Sequence, residues 1–256
     1  MTTVNEIYNY IDEFAPFDTA LPGDNVGLLV GGNDEKVTRC GVCLDITPDI
    51  ICEAIDKKIN LIICHHSFIY EPLKTILKGS VPYELAAAGI NAIAAHTNLD
   101  ACDGGVNDCL CEKLGLQSVK KFADADYPDF PQMGRYGELP RVMSVPEFAA
   151  YSKEKLGSEF VRFNDIKRTI KQIGVCCGGG TAMLKDAINL RFDAFLTGDA
   201  RHHEWISLND GNIAMIECGH HITENVIVKP LAKKLAKQFP KTDVIILEQD
   251  IPYLEV

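Results

Sequence analysis

Residues 91–116 read NAIAAHTNLDACDGGVNDCLCEKLGL. A short apolar run closes on His96 and a polar, glycine-containing cluster, and a helix-like segment follows from Val106. The same grammar recurs in both directions. GVCLD (41–45) precedes TPDIICEAIDKK (47–58), and LIICHHS (61–67) ends in two histidines. GVCCGGG (174–180) precedes TAMLKDAINL, AFLTGDARHHE spans 194–204, and AMIECGHHITE (214–224) precedes NVIVKPLAKKLAKQF. Apolar runs of about four to six residues suit strands covered on both faces. Thr47 before Pro48 is a helix-start signal, and Ser144 before Pro146 and Glu147 is another. Strand alternating with helix predicts an α/β fold with mostly parallel, helix-covered sheets.

The stretch from 122 to 141 breaks this pattern. It carries Pro128, Pro131 and Pro140 within ADADYPDFPQMGRYGELP and reads as a long connection. The expected division is a first lobe over 1–121, a connecting segment over 122–141 and a second lobe over 142–256. The C-terminal segment is free to return to the first lobe.

Composition narrows the function classes. At 256 residues the chain buries a substantial core unaided. A net charge of −11 argues against nucleic-acid binding, which needs a basic face to displace counterions. Lys229, Lys233, Lys234 and Lys237 are helically spaced and read as one solvated face. No apolar run approaches the roughly 18 residues of a membrane span, and MTTVNEIYNYIDEF has no signal-like character. A cytoplasmic, reducing setting follows as the expectation, with the ten cysteines as free thiols. Most of them fall in apolar runs and read as small buried hydrophobes. Cys40 and Cys43 form a C-x-x-C, but inside a strand an offset of three puts them on opposite faces.

Six of the seven histidines form adjacent pairs, 65–66, 202–203 and 220–221, and His96 closes another strand-like run. Binding groups in parallel α/β sheets gather at the carboxyl ends of strands. His65 and His66, diverging as they leave a strand, suit two ions of a close pair. In GHHITE, His220 and Glu224 stand at i, i+4 on one helix face. His221 with Glu224 at i, i+3 is almost as good, and Glu224 also suits a first helical turn through the helix dipole. In HTNLDACDGG, Asp100 reads as a carboxylate ligand and Asp103 as a helix cap. Imidazole with carboxylate suits zinc, iron, manganese or nickel. The glycine run 178–180 suits either an anion held by backbone N–H groups or tight strand–helix packing. Asp199, at a strand end, is a weaker candidate for the same crevice.

In order, LIICHHS, AAHTNLDA, CCGGGTAML, DAFLTGDA and ECGHHITE resemble the dinuclear metal-centre hexameric family of GTP cyclohydrolase 1 type 2 homologues. DNVGLLVG near the start and GRYGELP in the middle extend the likeness over essentially the whole chain, in the short form that lacks the inserted domain. The resemblance implies five ligands for two divalent metal ions: His65, His66, Asp100, His220 and Glu224. It implies that Glu224 bridges both ions, and Glu224 is the candidate catalytic residue. It also implies two similar α/β lobes with the metal site in the cleft between them, and a ring-like homo-hexamer. Ser67 departs from the proline or glycine common after the histidine pair, which affects loop shape rather than ligation. His202 and His203 match no ligand position.

Two functional classes follow. In a metal-dependent hydrolase, two ions about 3.5–4 Å apart acidify a bridging water and polarise the substrate. GTP ring opening or phosphoester cleavage would suit such a centre, with a nucleotide or phosphorylated small molecule as ligand. In a non-enzymatic metal carrier, insertion factor or metal-responsive regulator, the same five ligands would hold ions for delivery. A dinucleotide-binding module built on the GGG turn fits less well, because the run is not G-x-G-x-x-G.

Overall fold

A computed structural model describes residues 2–123, 131–164, 166–211, 213–249 and 251. The chain forms two compact units, Met1–Leu99 with Val228–Val256 and Asp100–Ile227.

The first unit opens with α1 (Val4–Phe14), whose Thr3 and Glu6 cap each other's backbone N–H groups and whose Val4, Ile7 and Ile11 form one buried stripe. There follow β1 (Gly27–Val30), β2 (Arg39–Cys43), α2 (Pro48–Asp56), β3 (Leu61–Cys64), α3 (Val81–Ala88), β4 (Asn91–Ala94) and α4 (Thr97–Ala101). The chain passes to the second unit within α4. As expected, Thr47 caps α2 by accepting from Ile50 N–H, with Pro48 in the first turn. Ile50, Ile51 and Ala54 of α2 and Leu85 of α3 pack with Ile62, Cys64, Ala92 and Ala94 of the sheet.

The second unit contains α5 (Val106–Leu114), β5 (Gln117–Phe122), β6 (Gly134–Ser144), α6 (Val145–Leu156), β7 (Arg162–Phe163) and β8 (Thr169–Cys176). It continues through α7 (Leu184–Asn189), β9 (Ala194–Thr197), α8 (His202–Gly211), β10 (Ala214–Glu217) and α9 (His220–Glu224). Ser144 and Glu147 form a capping box on α6. The sheet order is β5-β6-β8-β9-β10-β7. Only the β8–β9 and β9–β10 pairs are parallel, and β5–β6, β6–β8 and β10–β7 are antiparallel, so this sheet is mixed. Phe192, Phe195 and Met215 anchor its core beneath Leu184 and Ala187 of α7.

Of the expected connection over 122–141, residues 124–130 lie outside the described residues, and the stretch from Gly134 onward belongs to β6. Pro140 is tolerated there because it sits at the irregularity between the Glu138↔Gln172 and Met143↔Ile170 pairs.

The chain then re-enters the first unit with α10 (Val228–Gln238) and β11 (Asp243–Ile246). That sheet has the order β1-β4-β3-β2-β11, parallel except for the β1 edge. On α10, Lys229, Lys233 and Lys237 are exposed, while Lys234 lies 3.7 Å from the Phe14 ring centre. Cys40 and Cys43 are both buried in β2, and burial pushes the Cys40 thiol up to about 12. Among the described residues, no helix is long and apolar enough to cross a membrane.

Candidate functional site

In the first unit, sheet register aligns three strand ends. Cys43, Cys64 and Ala94 are neighbours across β2, β3 and β4, so Asp45, His66 and His96 each stand two residues past that level. His65, one residue past it, is 1% exposed. Its Nδ1 lies 2.9 Å from the Ala95 carbonyl. A carbonyl only accepts, so Nδ1 carries the proton and Nε2 the in-plane lone pair. The His66 Nδ1 lies 2.7 Å from an Asp45 oxygen, and the His96 Nδ1 lies 3.0 Å from both Asp24 oxygens. Burial works to raise the Asp24 pKa, but hydrogen bonds from His96 and Thr97 outweigh it and hold the carboxyl at about 2. Ring nitrogens of His65, His66 and His96, one from each, lie within 4.8 Å of one another.

The second unit builds a different group on the same kind of foundation. Cys176, Thr197 and Glu217 are level across β8, β9 and β10. Beyond them come Cys177 and Gly178, Gly198 and Asp199, and Cys218 and Gly219 leading into α9. His220 is clasped from two sides, with Nδ1 2.8 Å from Asp199 and Nε2 3.0 Å from Glu224. Those hydrogen bonds, Asp199 first and Glu224 second, outweigh burial and raise the His220 pKa to about 10. An arrangement that favours a proton this strongly also favours a metal cation in its place.

Glycine makes the room. Gly178 has φ +53°, and a Cβ there would fall 2.0 Å from Glu224 Oε1 and 3.2 Å from His220 Nε2. The run 178–180 therefore serves close approach. Gly180 starts a short 3-10 turn, and its Cβ would lie 2.6 Å from that of Cys176. Gly178 N–H donates to Thr223 Oγ1, which fixes the start of α9 against the loop.

Asp100 is 4% exposed. The buried Asn107 donates to its carbonyl and accepts from Cys177 N–H, while the Cys177 thiol lies 3.2 Å from Asp100 Oδ1. Arg135, 1% exposed, spans Asp108 and the carbonyls of Ala101 and Cys102 that follow Asp100.

Within each unit the structure groups most of the expected residues. His65 and His66 adjoin each other with ring centres 4.9 Å apart, and His220 rather than His221 pairs with Glu224. Asp199 orients His220. His202 and His203 are exposed at the start of α8, and His221 is buried. Asp103 is not the cap of α5. That position belongs to Gly105, and the Asp103 side chain is exposed and paired with Lys121. Sequence reasoning missed Asp24, Asp45, Asn107 and Cys177. Asp45 closes GVCLD as His66 closes its own run, which was a usable signal; Asp24 comes from a loop with no such pattern.

The donor chemistry fits divalent cations. In the first unit the His65 tautomer is fixed by a carbonyl, and in the second His220 stands against the buried Glu224, a carboxylate that needs positive charge. Thiolate ligation is disfavoured, since burial, then Asp100 and Glu224, raise the Cys177 pKa well above its usual value.

Residues 2–252 match the family model Duf34/NIF3 (NGG1p interacting factor 3). A Clostridium acetobutylicum protein named GTP cyclohydrolase 1 type 2 homolog is 32% identical over 98% of this chain and 97% of its own. The crystal structure of the Staphylococcus aureus hypothetical protein SA1388 is similar at a TM-score of 0.91 and 26% identity, covering 99% of each chain. Reduced HcgD from Methanocaldococcus jannaschii is similar at a TM-score of 0.82 and 26% identity, over 97% of this chain and 98% of that one.

Proposed function

The chain belongs to the Duf34/NIF3 family, and from that premise we propose that it binds two divalent metal ions and uses them for hydrolysis. The ligands are His65, His66, Asp100, His220 and Glu224. The observation that carries this reading is the Gly178–Glu224–His220 arrangement. A glycine forced by a 2.0 Å approach leaves space around a buried carboxylate that already holds an imidazole. In the first unit, the Nδ1 atoms of His65 and His66 are both tied to oxygen, which leaves Nε2 of each ring for a cation.

A pair of divalent ions supplies Lewis-acid activation of water and substrate. The chain's own residues do the positioning: Ala95 and Asp45 set the tautomers of His65 and His66, and Asp199 sets the ring of His220. The substrate class is a nucleotide or phosphorylated small molecule. GTP ring opening is the specific activity that the relatives' name suggests.

The protein is a cytoplasmic homo-hexamer in this reading. The free thiols suit a reducing compartment. Tyr70, Leu73, Ile76 and Leu77, between 48% and 67% exposed on one short segment, offer an apolar contact for a second copy.

Metal analysis on protein purified without chelator, beside Glu224→Ala, is the test. About two ions per chain in the native protein, falling sharply in the variant, is the expected result. Turnover of GTP and other phosphorylated compounds by the metal-loaded protein then tests hydrolysis. Rates no higher than those of Glu224→Ala would remove it, and rapid loss of the ions to a competing chelator would favour a carrier.

A further inference from the structure

Around Asp100 the second unit closes a ring of hydrogen bonds. Asn107 Nδ2 donates to the Asp100 carbonyl at 3.3 Å, and Asn107 Oδ1 accepts from Cys177 N–H at 2.8 Å. One buried amide thus staples the segment carrying Asp100 to the loop that follows β8. Side chains complete the ring, because the Cys177 thiol donates to Asp100 Oδ1 at 3.2 Å. The proton of that contact stays on sulfur. A thiol ordinarily gives it up near pH about 8.5 and an aspartic acid near about 3.9, so the carboxyl is the anion of the two. An S–H group is a weak donor, and its effect here is to fix where Oδ1 points.

Direction matters because Asp100 has a second carboxylate beside it. One oxygen of Asp100 and one of Glu224 lie within 4.8 Å of each other, and both residues are buried. Two desolvated carboxylates this close repel, and donors that hold their oxygens offset part of that cost. The dipeptide Cys177–Gly178 attends to both. Gly178 leaves room for Glu224 Oε1 where a Cβ would stand, and Cys177 takes Asp100. Among small side chains cysteine brings a donor into a buried place at little desolvation cost, whereas a hydroxyl is costlier to bury.

We propose that Cys177 is a positioning residue for the metal site: its thiol holds Asp100 Oδ1 and so sets the direction from which that carboxylate meets a divalent cation. The proposal rests on Asp100 being a metal ligand, and in it the thiol itself carries no metal.

Infrared spectra of the metal-free full chain and cobalt(II) binding test it. In the infrared, the S–H band that Cys177→Ser removes should lie at higher frequency in the Asp100→Ala background than in wild type. A side chain that merely filled space would give no such shift. Cobalt affinity against a competing chelator should fall by about tenfold for one ion in Cys177→Ala, the lower end of outer-shell effects, with the visible spectrum altered. Cys177→Ser keeps a donor and should recover part of that loss. If Cys177→Ala unfolds, as circular dichroism would show, Cys177→Val removes the donor while filling the space. Three results would overturn the proposal and leave the five-ligand reading intact: an S–H band that Asp100→Ala leaves in place, unchanged cobalt affinity in the variants without a donor, or equal losses with and without one. A sulfur-to-cobalt charge-transfer band in wild type, absent from the Cys177 variants, would overturn it by making Cys177 a ligand. Asp100→Ala that kept both ions would end the five-ligand reading and this proposal together.

Discussion

Two residues past the level of the sheet, the first unit presents Asp45, His66 and His96, whereas the second presents Gly178, Asp199 and Gly219. Both units use the carboxyl ends of three adjacent parallel strands, where a right-handed α/β wind leaves loops free to carry function. They differ in what does the positioning. The first unit sets each imidazole with an oxygen acceptor behind it, the side chains of Asp45 and Asp24 and the backbone carbonyl of Ala95. The second also sets His220 with a side chain, Asp199, but adds a backbone approach so close that only glycine fits at 178. A side-chain acceptor can be exchanged without harming the fold. A close backbone approach cannot be filled without strain.

The largest effect should come from breaking the second arrangement. In Gly178→Ala the new methyl would overlap Glu224 Oε1, at a backbone φ of +53° that disfavours any side chain. Left-handed strain and overpacking together cost roughly 2–5 kcal/mol. Urea unfolding should show that loss, and metal analysis should show fewer ions per chain. A variant of wild-type stability that retained its metal would mean that the glycine is not what shapes the site.

A smaller effect separates charge from shape. The raised pKa of His220 derives first from Asp199, so Asp199→Asn should bring it down toward the ordinary histidine range. In metal-stripped protein a histidine with a raised folded pKa contributes stability in full below its unfolded value near 6.5. That contribution fades as pH rises through the folded value of about 10. Stability of the stripped wild type should therefore decline between about pH 6.5 and 10 more than that of Asp199→Asn. Parallel curves for the two proteins would show that Asp199 does not hold the proton in place.

The strand ends were legible because four or so apolar residues followed by a polar cluster is a local signal, and His65, His66, His96, Asp100, Asp199 and His220 all lie in such clusters. Helix starts at Thr47 and Ser144 were legible for the same reason. What could not be read was supplied from a distance in sequence. Asp24 reaches His96 across 72 positions, and Asn107 reaches Cys177 across 70. The prolines of 122–141 masked β6, because a proline at a strand irregularity looks the same as one in a loop. The return of α10 and β11 to the first unit follows from β11 pairing with β2, a parallel match that no local pattern encodes.

The smallest expected effect tests whether carboxylate or mere acceptor is needed behind a first-unit imidazole. Asp45 accepts from His66 Nδ1 through Oδ1, while Gln249 grips the same residue twice, donating from Nε2 to Oδ2 and accepting from Asp45 N–H. In Asp45→Asn the amide oxygen can still accept from His66, so ring orientation survives, while the negative charge and the acceptor for Gln249 Nε2 are lost. Metal affinity should fall by less than about tenfold, the lower end of outer-shell effects, with unfolding unchanged. Asp45→Ala removes the acceptor as well and should weaken binding further, toward the hundredfold end. Equal losses in the two variants would mean that charge alone matters, and the first unit would then depend on electrostatics more than on aim.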